Sequence, residues 1–317
     1  MKRFLITGSN GQIGTNLVPL LVSKYGPQNV IASDLSHPKN KFPCKFTPLD
    51  VTSFKKYEKL VFENKINYIV HLASILSAVG EKDPAKAKFV NNGGTDNTLD
   101  IAKKHKCTVF APSSIAAFGE HCPKCNVPED VILMPRSIYG VTKVYLELLG
   151  KYYHDKFGVD FRCIRYPGII SSEEYEYHGT TDYSTEIFFK ALREKNYQCF
   201  LRADTPLPML HIDDAMEATL KFIEADKSKL SRRVYNLGGL SFTPKMLADG
   251  IAKVIPEFKC SYVPDFRQPI ADSWPASLSE PSNKDFGWIF NKNVDDLVEK
   301  MFSDIKKNED RKKAKLK

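Results

Sequence analysis

Arg3-Phe4-Leu5-Ile6-Thr7-Gly8-Ser9-Asn10-Gly11-Gln12-Ile13-Gly14 decides how the rest of this chain is read. Arg3–Thr7 reads as a short buried strand, and Gly11–Lys24 carries Ile13, Leu17, Leu20 and Leu21 at helical spacing. Between them Gly8, Gly11 and Gly14 fall three apart. The first glycine permits a tight turn, the second lets backbone approach a pyrophosphate, and the third lets helix and strand pack. A helix start in that position offers N–H groups and partial positive charge to phosphates. Three glycines alone are a weak signal; the strand before them and the helix after them carry the argument. Gly8, Asn10, Gly11, Gln12, Ile13 and Gly14 are the candidate cofactor residues of this turn.

Outward from the turn, strands and helices alternate. Asn29–Asp34, Lys45–Leu49, Asn67–Leu72, Cys107–Pro112 and Asp160–Arg165 read as strands; Phe54–Glu63, Pro84–Lys104 and Tyr139–Lys156 read as helices. This order predicts an α/β fold, a Rossmann-type doubly wound parallel sheet with a smaller C-terminal substrate lobe. After Tyr166 the pattern loosens. A loop over 166–181, a helix over 183–194, strands at Gln198–Leu201 and Val234–Leu237, and a helix at Ile212–Glu224 suggest two last sheet strands plus a lobe over the cofactor. The expected division is a dinucleotide-binding domain over 1–166 and a substrate-binding lobe with a basic tail over 167–317.

Asp34 ends the second strand, 20 residues beyond Gly14. A carboxylate there accepts hydrogen bonds from both adenine-ribose hydroxyls and repels a 2′-phosphate, which predicts NAD(H) over NADP(H). Leu35 follows it. Asp50, with Val51, either approaches the adenine or caps the helix that starts near Thr52 and Ser53.

Tyr139 and Lys143 are four apart on a predicted helix and share a face. A free tyrosine has a pKa of about 10 and is a weak base at neutral pH; a neighbouring ammonium favours the phenolate. Lowering the value by about 3 units takes about 4 kcal/mol, so the charge pair must be partly desolvated. The same pattern also arises on any amphipathic helix. Ser113-Ser114, at the end of the preceding strand, supplies a hydroxyl to orient an alcohol or carbonyl.

Bulk properties narrow the class. The chain has 317 residues, 42% hydrophobic and 26% charged, which argues against disorder, and no apolar run reaches the ~20 residues of a membrane span. Of the net charge of +8, residues 306–317 hold seven Lys/Arg against Glu309 and Asp310. The excess therefore sits in a terminal tail, read as a solvated, frayed end. No aromatic residues interleave with it to stack on bases, so neither nucleic acid nor membrane is an expected partner. Seven scattered cysteines fit a reducing compartment, cytoplasm or mitochondrial matrix, and Met1-Lys2-Arg3 leads straight into the first strand with no visible targeting segment. Cys122-Pro123-Lys124-Cys125 is one CxxC without a second pair, so no metal is expected.

Taken together, these residues resemble the extended short-chain dehydrogenase/reductase family. The likeness runs through His71-Leu72-Ala73, Asn91 before Gly94-Thr95, Ser113–Gly119, Tyr139–Lys143 and Tyr166-Pro167-Gly168. It implies Ser114, Tyr139 and Lys143 as the catalytic set. It places Asn91 near the active site and Leu72, Ala73, Ser74, Tyr166 and Ile169 beside the nicotinamide. Within the family, Leu76–Glu81, Pro135–Val141, Pro167–Ser171, Gly179–Tyr183 and Leu207–Met209 are similar to its L-threonine 3-dehydrogenase group. That likeness implies oxidation of L-threonine by NAD⁺ to 2-amino-3-oxobutyrate, with Ser77 and Thr180 on the amino acid's charged end, and a homodimer packed through the Tyr139 helix and the long helix before Cys107. Thr180 also suits a helix N-cap, and Arg136 suits solvent. Glu176-Tyr177-His178-Gly179 replaces the glycine-rich run usual in that group, which puts the closing of this loop in doubt. The alternatives are a nucleotide-sugar 4-epimerase of the same fold and a non-catalytic NAD sensor. A dehydratase would place an Asp-Glu pair where this chain has Ile115-Ala116.

Overall fold

The computed structural model describes residues 2–174 and 179–315; Glu176, Tyr177 and His178 of the altered loop lie outside them. Six strands of the first half, β1 (Phe4–Thr7), β2 (Val30–Ser33), β3 (Lys45–Phe46), β4 (Tyr68–His71), β5 (Thr108–Ser114) and β6 (Phe161–Tyr166), join Val234–Asn236 in one sheet. The order is β3-β2-β1-β4-β5-β6 and then Val234–Asn236, with every pairing parallel. Strand order reverses between β1 and β4, so the crevice at the carboxyl ends of the strands opens there.

These strands are apolar on both faces because helices cover both. Phe4, Ile6, Val70 and Phe110 pack against α1 (Gln12–Tyr25) and α7 (Ile212–Glu224) through Leu17, Leu21, Ala215 and Phe222. Leu5, Ile31, Ile69 and Val109 face α2 (Phe54–Glu63), α4 (Pro84–His105) and α5 (Ile138–Phe157) through Tyr57, Leu99 and Leu146. Strand β3 is shorter than its apolar run suggests: Pro48 has no N–H to give, and only Thr47 and Leu49 continue the ladder, onto Ala32 and Asp34. Between β4 and α4 lies the short helix α3 (Ser77–Lys82).

One expectation for the second half is corrected. Of the two last strands, Val234–Asn236 alone enters the main sheet. The other, at Asn196–Cys199, pairs in parallel with Lys259–Tyr262 in a separate two-stranded sheet. Its residues alternate exposed and buried, whereas β1, β2 and β4 are buried throughout. That polar/apolar alternation already marks a strand covered on one face only. Gly168–Ile170, Leu207–His211 and Leu240–Phe242 form a third sheet. Phe188 of α6 (Tyr183–Glu194), Phe200, Met209, Leu247 and Trp274 fill the core beside it. The basic tail is also more ordered than expected: Val294–Lys315 is helical, and Leu297, Val298, Met301 and Ile305 anchor its first turns in that core.

A buried ion pair locks the sheet next to the crevice. Arg165 on β6 donates to both carboxylate oxygens of Glu147 on α5 (3.0 and 2.8 Å), to the Glu129 carbonyl (2.8 Å) and to Asn236 Oδ1 (3.2 Å), and Ser113 Oγ on β5 donates to the same carboxylate. With its hydrogen bonds filled, the pair ties three adjacent strands and one helix together. Removing either partner would strand a charge in the core.

Candidate active site

The crevice is a cleft of about 640 Å³ that collects the carboxyl ends of β1, β2, β4, β5 and β6 and the start of the second half. Gly8, Gly11, Gln12, Ile13 and Gly14 form its floor. Gly8 has φ +68°, and a Cβ there would lie 2.5 Å from the Ala73 nitrogen, so both the left-handed backbone and the missing side chain are required. Gly11 caps α1 with no side chain, and no carboxylate occupies the first turn. The leading N–H groups of the helix stay open toward the cleft, which fits a phosphate.

Asp34 lines the far end with Leu35, Asp50 and Val51. Its carboxylate is aimed by two backbone donors, Asn10 N (2.9 Å) and Leu35 N (2.7 Å). Asn10 itself does not line the cleft; it locks Asp34 and ties down Ser36 through its side chain (2.8 Å). Both readings of Asp50 meet in one residue: it lines the cleft while accepting from Thr52 N (2.9 Å) and Oγ1 (2.7 Å) ahead of α2. Leu72, Ala73 and Ser74 form the wall above the glycine turn, and Tyr166 and Ile169 close the opposite side. Asn91 is buried behind this wall. Its amide brackets Ile75 N (2.7 Å) and O (3.0 Å) and reaches Thr142 Oγ1 (3.1 Å), so it positions the Ser74–Ser77 loop and does not line the cleft. Buried His71 bonds Thr7 Oγ1 through Nδ1 (3.0 Å). Burial, and then the Lys143 charge, hold its pKa down at about 3, so it stays neutral.

The tyrosine is brought to the serine by a helix pressed onto a strand end. Ser137 caps α5, accepting from Gly140 N (3.1 Å). A Cβ on Gly140 would lie 2.1 Å from the Ala116 carbonyl oxygen, so only glycine allows the first turn of α5 to approach the residues that follow Ser114 this closely. Ser114 Oγ accepts from Ala116 N (3.2 Å) and is hydrogen-bonded to the Tyr139 hydroxyl. Lys143 Nζ lies 5.3 Å from the Tyr139 ring centre and donates to the Pro112 carbonyl (2.8 Å).

Burial dominates both groups. It pushes the Tyr139 pKa up to about 12, with the Ser114 hydrogen bond working the other way. It pulls Lys143, only 7% exposed, down to about 8, with Cys163 and Glu147 opposing. The sequence led us to expect an ammonium that lowers the phenol. In the chain by itself, the lysine sits over the ring and on a carbonyl, and desolvation penalises both charges at once.

Ser77, Gly179, Thr180, Thr181, Asp182 and Trp274 also line the cleft. Thr180 is not the cap of α6; Asp182 holds that position and accepts from Gly179 N (2.6 Å), which leaves the Thr180 hydroxyl outside the helix. Sequence reasoning missed Ile75, Leu76, Lys86, Phe89, Asp182 and Trp274. Lys86, Phe89 and Val90 could have been found as one face of α4; Trp274 arrives from a stretch with no local pattern. Lys124, inside the CxxC loop, supports that wall by bonding the Trp274 carbonyl (3.2 Å), while Cys122 is buried and Cys125 exposed. Arg136 pairs with Glu120 at the surface (2.6 Å).

The profile of the NAD dependent epimerase/dehydratase family matches residues 4–238, and the chain belongs to that family. Its cofactor is accordingly of the NAD type. The mitochondrial L-threonine 3-dehydrogenase of Bos taurus is 42% identical over 306 residues, 95% of this chain and 82% of that protein. The crystal structure of L-threonine dehydrogenase from Phytophthora infestans superposes with a TM-score of 0.93 at 44% identity, covering 96% of this chain and 100% of that one. A monomeric L-threonine 3-dehydrogenase from a metagenome, in its apo form, gives 0.91 at 43%, covering 96% and 99%.

The close approach at Gly140 has a measurable consequence. Gly140→Ala is expected to cost about 1–3 kcal/mol in urea unfolding, because the helix must back away from Ala116. Gly93→Ala, where an added Cβ meets nothing within 4 Å, is expected to be neutral or to stabilise by up to about 1 kcal/mol. Equal stabilities for the two variants would refute the packing argument.

Proposed function

We propose that this chain oxidises L-threonine at its β-hydroxyl with NAD⁺, giving 2-amino-3-oxobutyrate, NADH and a proton. The reading rests on one observation above all: Ser114 and Tyr139 line the same cleft as the glycine turn, Ser77 and Thr180, in a family whose similar members are named for threonine oxidation. When bound, NAD⁺ supplies the hydride acceptor and a positively charged ring. Tyr139 takes the β-hydroxyl proton, and Ser114 holds the same oxygen by a hydrogen bond. Lys143 favours the phenolate and holds ribose. Ser77 and Thr180 meet the charged end of the amino acid, and Asp34 accepts from the adenine ribose hydroxyls, which selects NAD(H) over NADP(H).

A nucleotide-sugar epimerase would need cations free to meet a diphosphate. Arg193 pairs with Glu174 (2.6 Å), Arg202 with Asp272 (2.8 Å) and Arg267 with Asp265 (2.6 Å), so these three are already engaged. No helix among the described residues is long and apolar enough to cross a membrane. Seven free cysteines suit a reducing compartment, cytoplasm or mitochondrial matrix, which we retain as part of the proposal.

The homodimer is likewise retained. Val141, Leu148 and Tyr152 leave an exposed apolar stripe along α5, and light scattering decides the matter: a mass near the 35.9 kDa of one chain would end this part of the reading. With NAD⁺ and L-threonine, the purified protein should form NADH, and Tyr139→Phe should lower kcat by roughly 10²–10⁴-fold. The base must lose its proton to act and burial raises its pKa. The rate should therefore climb with pH, about tenfold per unit below the base's pKa in the complex. A flat profile, or no NADH with threonine, would remove the assignment. Asp34→Ala should narrow the preference for NAD⁺ over NADP⁺ by at least about tenfold, since a charge-assisted ribose contact is worth about 1.5–3 kcal/mol. Unchanged discrimination would clear Asp34 of that role.

A further inference from the structure

We propose that Lys86 is a cationic clasp on the pyrophosphate of the bound dinucleotide. The inference rests on the cofactor half of the reading above and is independent of the substrate half. Among the described residues, the cleft is lined by three carboxylates, Asp34, Asp50 and Asp182, and by two cations, Lys86 and Lys143. A dinucleotide brings two phosphate charges into this acidic surround. Lys143 cannot answer them freely, because it is buried and its ammonium is held on the Pro112 carbonyl. The α1 N-terminus contributes about half a positive charge. Lys86 is the remaining full charge. Its side chain is exposed and takes part in no ion pair among the described residues.

Its place in the fold points to the phosphate end. Lys86, Phe89 and Val90 stand at i, i+3 and i+4 on α4 and all line the cleft. On another side of the same helix, Asn91 brackets Ile75 (2.7 and 3.0 Å) and so ties α4 to the Leu72–Ser77 loop. The loop in turn lies directly on the glycine turn at the Gly8–Ala73 contact. Glycine turn, loop and helix are therefore contiguous, with the lysine on the rim. Leu76 and Phe89, 54% and 66% exposed, add apolar surface to the same cleft, and a long lysine stem can lie over such surface with its ammonium in water or on a ligand. The backbone N–H of Lys86 is bonded to Asp83 (3.0 Å), so the root of the side chain is fixed while its tip is free.

The test needs no turnover. Affinities for NADH, ADP and adenosine are measured on the full chain without amino acid, by nicotinamide fluorescence and by calorimetry. Lys86→Ala should weaken NADH and ADP by roughly 5- to 20-fold, as expected for one charge-assisted contact to phosphate. Adenosine, which carries no phosphate, should bind as before, and the salt dependence of NADH binding should become shallower. Lys86→Arg should restore most of the loss. Three results would overturn the inference: unchanged NADH and ADP affinity; equal weakening of adenosine, which would make the residue structural; or a raised threonine KM with NADH binding intact, which would place the lysine on the substrate carboxylate. Failure to oxidise threonine would leave these binding measurements untouched, so the two readings fail separately.

Discussion

The arrangement depends on an ammonium held out of water. Lys143 lies over the Tyr139 ring with its charge on the Pro112 carbonyl of β5. Moving its pKa from 10.5 to about 8 costs the fold about 3 kcal/mol. That penalty is complete below pH 8 and fades as the pH rises toward 10.5. Tyr139 is penalised in the same way by becoming a phenolate. Burial therefore works against both charges at once.

Holding that site together requires rigid surroundings. The Arg165–Glu147 pair, with Ser113 and Asn236, fixes β5, β6, the Val234–Asn236 strand and α5 against one another within one residue of Ser114. Asn91 does similar work on the other side, where it pins the loop that carries Ser74 and Ser77. Both are buried polar clusters with several hydrogen bonds each. They convert the general preference of apolar strands for a core into one specific alignment of side chains.

Much of this was legible in the chain. Strands buried on both faces read as continuous apolar runs, and helices read by their 3.6 period, so the sheet and its crossovers were recoverable from β1 to β6. The glycine turn, Asp34 and the Tyr139/Lys143 pair were visible because each is a local chemical pattern at fixed spacing. What escaped was non-local. The strand expected at Gln198–Leu201 in the main sheet runs instead over Asn196–Cys199 and pairs with Lys259–Tyr262, as its alternation of exposed and buried residues suits a strand covered on one face. Asn10 and Asn91, candidate cofactor residues by sequence, bond Asp34 and Ile75 and stand behind the residues that line the cleft. Trp274 reaches the cleft from a segment whose sequence carries no period at all.

The sequence by itself determined the class of fold, the glycine turn at the end of the first strand and the local Tyr139/Lys143 pattern, because backbone geometry and residue chemistry over a few positions are enough for these. Tertiary structure decided what those groups feel. Burial is set by everything that packs around a side chain, so only the folded molecule reveals that the tyrosine is harder to ionise than in water and that the lysine bonds a carbonyl. It alone brings Ser114, Tyr139, Thr180 and Trp274, far apart along the chain, onto the walls of one cleft.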